Sequence, residues 1–361
     1  MFDLIFIFYQ RGLTLVDPYI KGMVIPQFFT PYIKVLLTPG PWQLTACFLS
    51  ACFLMITRLN AVEKNGFEGT IVGTLVMPYF SGFPNLCFAY LMAKSGNNGH
   101  LVLENCLVNN VTNLTLILAL PALFWGMNLF PETREKPQKT KANETKPHET
   151  KINYLSLLLS LLALIFFTAA LWQVGRDGVI KGSDGWILVG LFLFWQIFHI
   201  FEVLKSNARE DRKIKTRILV DLIIIGICAW AIFSSINGLV EWITLHGRGV
   251  FAKKNLGVLS GLFMVLPNGF LALYYAAVHR ADIAYSSQIG DCHICIPLCI
   301  GIFALFSPIR IPSSFETGVY CIMGAGAGLF LVTALFGKLH RWAGVILMGL
   351  YGFFLFKGYV L

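Results

Sequence analysis

Two short phrases recur about half the chain apart, each inside a long apolar segment. Ser81-Gly82-Phe83-Pro84-Asn85, followed by Ala89, is echoed by Met264-Val265-Leu266-Pro267-Asn268, followed by Ala272. A proline inside a helix has no N–H to donate and leaves the carbonyl four residues earlier without its partner. In a bilayer such loosened backbone is tolerated only where it is buried in protein or lines a cavity. Interrupted helices at corresponding places in two halves point to a binding site near the membrane midplane of a secondary transporter. Asn85 and Asn268 are the central candidate ligands.

Each phrase leads into a second apolar segment that carries polar groups: Asn109 and Asn113 in one, Asp291 in the other. With Ser81 they complete the candidate ion-binding shell; Glu104, Asn105 and Cys295 are accessory candidates. An asparagine offers one neutral carbonyl oxygen and two donors, so a ring of amides suits a weakly charged ion. A carboxylate at the depth of Asp291 costs about 2.5 to 3.5 kcal/mol on insertion scales and by default marks a pathway or a proton relay. Glu104 lies early in its segment, where a plain interfacial contact with water explains it equally well.

Cys292-His293-x-Cys295, with Cys299 beyond, invites a transition-metal reading, since thiolate and imidazole suit zinc or copper. Adjacent residues on a helix point about 100 degrees apart, so Cys292 and His293 do not converge on one ion. Small cysteines packing a membrane helix explain the pattern more simply. His199, Glu202 and Asp221 fall toward helix ends, where snorkelling would account for them. The Gly324, Gly326 and Gly328 run follows no strand, so it reads as close-packing helix surface and not as a nucleotide loop. No Ser, His and acid arrangement and no Gly-x-Ser-x-Gly appears, so an enzyme is not expected, and no resident cofactor is implied.

The elements that must position these residues follow from hydropathy. Hydrophobic residues make up 56% of 361 positions and charged residues 13%, with mean hydropathy +0.69. That composition describes an all-α polytopic membrane protein in a lipid bilayer. Its apolar runs are too long for the alternating strands of a β-barrel. Ten candidate spans run roughly Trp42 to Thr57, Gly69 to Ala93, Leu101 to Gly126, Tyr154 to Trp172, Gly185 to Val203, Ile218 to Trp242, Leu256 to Val278, Ile283 to Phe306, Gly318 to Phe336 and Trp342 to Phe356. They divide into five and five, with the duplicated phrase in the second span of each half.

The expected organisation is an interfacial or re-entrant segment over residues 1–41, a five-helix repeat over 42–204, a basic linker over 205–217, and a second repeat over 218–361. Pro18, Pro26 and Pro31 break the first stretch, although an eleventh helix is compatible with it. Asp3 stands where a cleavable signal would be basic, so none is expected. The insert 131–153 is rich in Lys, Glu, Thr and Pro and reads as a disordered loop.

Net charge is +9, but the distribution of basic residues speaks to topology and not to nucleic acid. With the first span starting outside, Lys and Arg number 17 in cytoplasmic loops and 8 in the opposite loops and C-terminal tail. The insert and linker are therefore expected in the cytoplasm, and five spans per half make the halves inverted repeats. The nine cysteines, mostly in apolar segments, read as small hydrophobes and not a disulfide framework.

From Trp42 onward the sequence resembles the cation/calcium exchanger superfamily, whose membrane domain is that of sodium/calcium exchangers. Each half of that family carries a repeat of the form G-T-S-x-P-E, then D-x-x-x-G-N-x-x-G-S-N-x-x-N. Here Gly73, Pro84, Asn105, Asn110 and Asn113 match in the first half, and Pro267, Asp282 and Gly290 in the second. Weaker echoes lie at Arg176-Asp177-Gly178 through Gly185-Trp186 and at Arg341-Trp342-Ala343-Gly344. The resemblance implies ten helices in two inverted repeats, cation antiport by alternating access, and sliding of the first span of each half against the rest.

Departures from the pattern bear on the ion. Asn85 and Asn268 stand where the family has its two ion-binding glutamates. Where the family offers a Ser and then an Asn or Asp, this chain has Asn109 and Asn113, and Asp291 and Cys295. Calcium wants six to eight hard oxygens with enough carboxylate to offset dehydration. The transported cation, among Na, Ca and H, is therefore expected to be monovalent or a proton. A transport-inactive scaffold or sensor that kept the fold is the alternative.

Overall fold

The computed structural model describes residues 40–64, 77–95, 98–129, 146–210, 217–246 and 255–360. The segment 1–39, most of the insert and part of the linker lie outside them. The first half begins with α1 (Pro41–Lys64), followed by α2 (Met77–Ser81) and α3 (Phe83–Ser95), which Gly82 separates. Then α4 (Gly99–Thr112) passes through a π-helical turn (Asn113–Ile117) into α5 (Leu118–Trp125). Strand β1 (Met127–Asn128), α6 (Lys146–Val174), β2 (Val179–Ile180) and α7 (Gly182–Glu210) complete it.

The second half repeats this order. α8 (Arg217–His246) is followed by the interrupted pair α9 (Leu256–Met264) and α10 (Leu266–Ala277). α11 (Ala281–His293) runs through a second π-helical turn (Ile294–Cys299) into α12 (Ile300–Phe306). Strand β3 (Ile309–Arg310), α13 (Phe315–Phe336), β4 (Lys338–Leu339) and α14 (Arg341–Leu355) follow. Among the described residues, 8 helices are long and apolar enough to cross a membrane. The split helix α2/α3 and the 15-residue α14 lie where the sequence places two further spans and are shorter than these.

Helix boundaries follow the residues that loosen backbone. Pro84 and Pro267 stand at the second position of α3 and α10, where a missing N–H is tolerated. Asn98 (φ 75) and His279 (φ 61) turn each interrupted helix into the next in the left-handed region. Asn and His are both among the residues that enter that region more readily than most. Two stretches differ from the sequence expectation. α6 begins at Lys146, so the end of the insert is helical, and α7 continues to Glu210 into the basic linker.

The halves are inverted. Leu44, near the start of α1, packs on Gly238 late in α8, while Arg58 near the end of α1 pairs with Asp221 at the start of α8. Tyr154, early in α6, donates its hydroxyl to the carbonyl of Ala334 late in α13, and Gly175 just past α6 packs on Phe315 at the start of α13. α4 and α11 likewise cross head to tail, Asn113 meeting Asp291 and Asn109 meeting Cys295. These three helices thus lie antiparallel to their counterparts, as a two-fold axis in the membrane plane demands. The short strands obey the same exchange: β1 pairs with β4, and β2 with β3. Gly185 lets α7 close on the Gly301 carbonyl, and Gly344 lets α14 close on the Ala119 carbonyl.

Candidate functional site

The two Pro-Asn turns meet in the middle of the bundle. Asn85, Asn109, Asn113, Asn268 and Asp291 are all 0–1% exposed. An isolated polar group there would lose hydrogen bonds it makes in water, so these side chains bond one another. Asn109 Nδ2 donates to Asn85 Oδ1 (3.3 Å), and Asn113 Nδ2 to Asn109 Oδ1 (2.8 Å). Asn113 Nδ2 also donates to Asp291 Oδ2 (2.6 Å). Asn268 Nδ2 donates to the same Oδ2 (2.9 Å) and to Asn113 Oδ1 (3.4 Å). Asn85 and Asn268 are thus joined through Asn109 and Asn113.

The network has two-fold character. The sequence offset that carries Asn85 onto Asn268, shortened by one residue, carries Asn109 onto Asp291 and Asn113 onto Cys295. The Asn85–Asn109 bond then corresponds to Asn268–Asp291. The bond from Asn113 to Asp291 corresponds to the approach of Cys295 Sγ to Asn109 Oδ1 (3.8 Å). Cys295 Sγ lies 3.9 Å from Asp291 Oδ2 as well. Charge breaks the symmetry, since the carboxylate belongs to the second half alone.

Several polar atoms of the cluster have no hydrogen-bond partner among the described residues: Asp291 Oδ1, Asn268 Oδ1 and Asn85 Nδ2. Two of the three are oxygens, the donor type a small cation takes. Gly82 makes room beside one of them, because a Cβ there would stand 2.9 Å from Asp291 Oδ1 and 2.7 Å from the Pro78 carbonyl. Ser81 is buried next to it and donates to the Met77 carbonyl (2.9 Å). Both polar helices relax into a π-helical turn at this level, a distortion frequent at functional sites.

Not every sequence candidate joins the cluster. Asn105 turns away to Ser260 of α9 (Nδ2 to Oγ, 2.9 Å), and Glu104 lies against Gly257 of the same helix. His293 points to the opposite side of α11, its Nε2 2.9 Å from the Ser160 carbonyl and its ring edge-on to Phe167 and Trp195. Among the described residues no group of three or more His, Cys, Asp or Glu is arranged to hold a metal ion.

Snorkelling does not account for His199 or Asp221. His199 is buried and stacks on Trp195, and Asp221 is buried against Arg58 at 3.4 Å. Of the three glycines, Gly326 packs on Ile165 and Leu164, while Gly324 and Gly328 face open space. The sequence reading missed Gln288, whose Nε2 donates to the Asn268 carbonyl (3.4 Å). Its place three residues before Asp291 on one helical face was the available signal.

Solved structures of the sodium-calcium exchanger NCX_Mj share the fold. For the one soaked with 10 mM Na+ and zero Ca2+, identity is 17%, TM-score 0.64, and 87% of this chain and 98% of that chain are covered. For the one soaked with 2.5 mM Na+ and 1 mM Sr2+, identity is 15%, TM-score 0.65, with 87% and 95% covered. A search of curated proteins finds no match. The model of the sodium/calcium exchanger protein family matches residues 43–201 and 217–359, so the chain belongs to that family.

Proposed function

We propose that the chain is a cation antiporter of the exchanger family whose central site takes a monovalent cation or a proton in place of calcium. The observation that carries this reading is the buried Asn85–Asn109–Asn113–Asp291–Asn268 network, to which Asp291 contributes a carboxylate and the other four side chains contribute neutral amides. A divalent ion beside a single carboxylate leaves a net positive charge in a medium of low dielectric, which is expensive. One monovalent cation, or one proton on Asp291, brings the site to neutrality.

Exchange follows from the same electrostatics. The unoccupied site holds a buried anion and crosses between facing states at high cost, whereas a site neutralised by either cation crosses readily. Two cations that neutralise the same carboxylate compete for it, and each return requires one of them. Inverted halves give the site a route to each of the two faces. The oxygens of Asn268 and Asp291 that lack partners supply ligands, and Gly82 keeps the space beside them open.

One observation favours an inactive relative that kept the fold. The amides satisfy one another directly, so the network holds together without an ion. Purified protein in vesicles separates the readings. Sodium or potassium flux driven by an opposing cation or proton gradient supports the antiporter, whereas no flux of sodium, potassium, calcium or protons leaves the scaffold.

A further inference from the structure

Glu104, Asn105 and Ser260 form a second polar group, outside the central network, at the seam where α4 and α9 run side by side. We propose that this seam is the route by which a small monovalent cation reaches the central site from one face of the membrane, with Glu104 as its first contact and the Asn105–Ser260 hydrogen bond as its closure. The proposal rests on the antiporter reading and adds to it a place and a side.

Four observations support the route. Asn105, Asn109 and Asn113 succeed one another at intervals of four along α4 and into its π-helical turn, rising about 6 Å at each step toward Asp291, the first turned to α9 and the other two to the central network. Asn105 is fully buried, yet its Oδ1 has no partner among the described residues while its Nδ2 holds Ser260 Oγ. That unpartnered oxygen sits in the seam as a cation ligand in waiting. Glu104, one residue earlier and partly exposed, places a carboxylate at the outer end of this series.

The fourth is how the seam is built. A Cβ at Gly257 would fall 2.7 Å from Glu104 Oε2, and one at Gly261 2.8 Å from the Asn105 carbonyl. Glycines bring the two helices close here, and the side-chain contacts across the seam are weak: besides Ser260, Asn105 Nδ2 meets only Met264 Sδ at 3.5 Å among the hydrogen bonds of the described residues, so α9 can part from α4 by releasing Asn105. Ser260 Oγ donates to the Gly257 carbonyl (3.0 Å) and keeps a partner when it releases Asn105.

Among the described residues, the counterparts of Glu104 and Asn105 differ from them. The offset that carries Asn109 onto Asp291 carries Glu104 onto Ser286 and Asn105 onto Ser287. Ser287 donates to Ala284 of its own helix and is met by Gln288, so it makes no bond across to a neighbouring helix. The carboxylate of Glu104 is thus replaced by a hydroxyl at the corresponding position of the second half.

The test uses the full-length protein in oriented vesicles, with sodium and potassium supplied in turn to each face. Glu104→Gln raises the half-saturating cation concentration several-fold on the face where α4 and α9 begin, leaves it unchanged on the other, and keeps the maximal rate within about two-fold; Glu104→Asp restores the wild-type value. In a second arm, oxidation of an Asn105→Cys/Ser260→Cys variant arrests exchange and a reductant restores it, while wild type, with its native cysteines, passes through both treatments unchanged. Half-saturation that is unaltered on both faces, or raised equally on both, overturns the route, as does continued exchange by the cross-linked variant. Wild type without flux overturns the antiporter reading itself; wild-type flux with an indifferent Glu104→Gln removes only the route.

Discussion

Asn113 of α4 donates its amide to the carboxylate of Asp291 in α11 at 2.6 Å, and so ties the first half of the chain to the second at the centre of the bundle. Asn268 donates to the same oxygen from a third helix. Two amide donors lower the energy of a buried anion without supplying the positive charge that would cancel it. Asp291→Asn keeps much of the shape and removes the charge. It is expected to abolish cation exchange in vesicles, by at least ten-fold, while the purified protein unfolds at the same temperature as wild type or higher. A variant that still exchanges at the wild-type rate would remove Asp291 from the mechanism.

Asn109 occupies, in the first half, the place that Asp291 occupies in the second. Asn109→Asp therefore adds a carboxylate next to Asn85 and Asn113 without moving a helix. A second charge lets the site neutralise a divalent ion. The expected outcome is calcium uptake raised at least several-fold above wild type, accompanied by slower sodium or potassium exchange. Isotope flux of calcium against sodium, measured on one preparation, reads both.

Gly82 separates α2 from α3 and lies under Asp291 Oδ1. Gly82→Ala would press a methyl group against the Pro78 carbonyl at 2.7 Å, a rigid neighbour, as well as the carboxylate at 2.9 Å. Overpacking of this kind costs about 1 to 3 kcal/mol. Thermal unfolding in detergent should fall accordingly, and the half-saturating concentration of the transported cation should rise more than the maximal rate drops, because the methyl group occupies ligand space.

The residues of the buried polar cluster were legible for a physical reason: prolines and amides are costly inside apolar helices, so a repeated Pro-Asn and Asp291 stand out from their surroundings. What the sequence could not show was orientation about each helix. Glu104 and Asn105 are neighbours of the polar face, but their direction is set by α9, which approaches closely through Gly257 and Gly261. His293 reads as a site residue until Phe167 and Trp195 enclose it on the far side of α11. Asp221 reads as a terminal, water-seeking acid, and only the antiparallel approach of α1 brings Arg58 over it. The inverted fold was legible because five-plus-five spacing and the duplicated phrase agree, whereas a pairing between elements far apart in the chain leaves no periodic trace.

Arg58 and Asp221 join α1 to α8 through one contact of 3.4 Å, with side-chain exposures of 34% and 2%. Arg58 Nε and Asp221 Oδ2 find no further partner among the described residues, so the pair is poorly supported by other hydrogen bonds. Such a pair gives little net stability, but removing one member strands the other. Arg58→Met should cost about 2 to 3 kcal/mol, below the value for a fully enclosed pair because Arg58 reaches solvent. Arg58→Met combined with Asp221→Leu should recover most of that loss. If the pair also fixes the register of α1 against α8, exchange will stay slow in the double variant although its unfolding temperature has returned. Recovery of both together would assign the pair to stability alone.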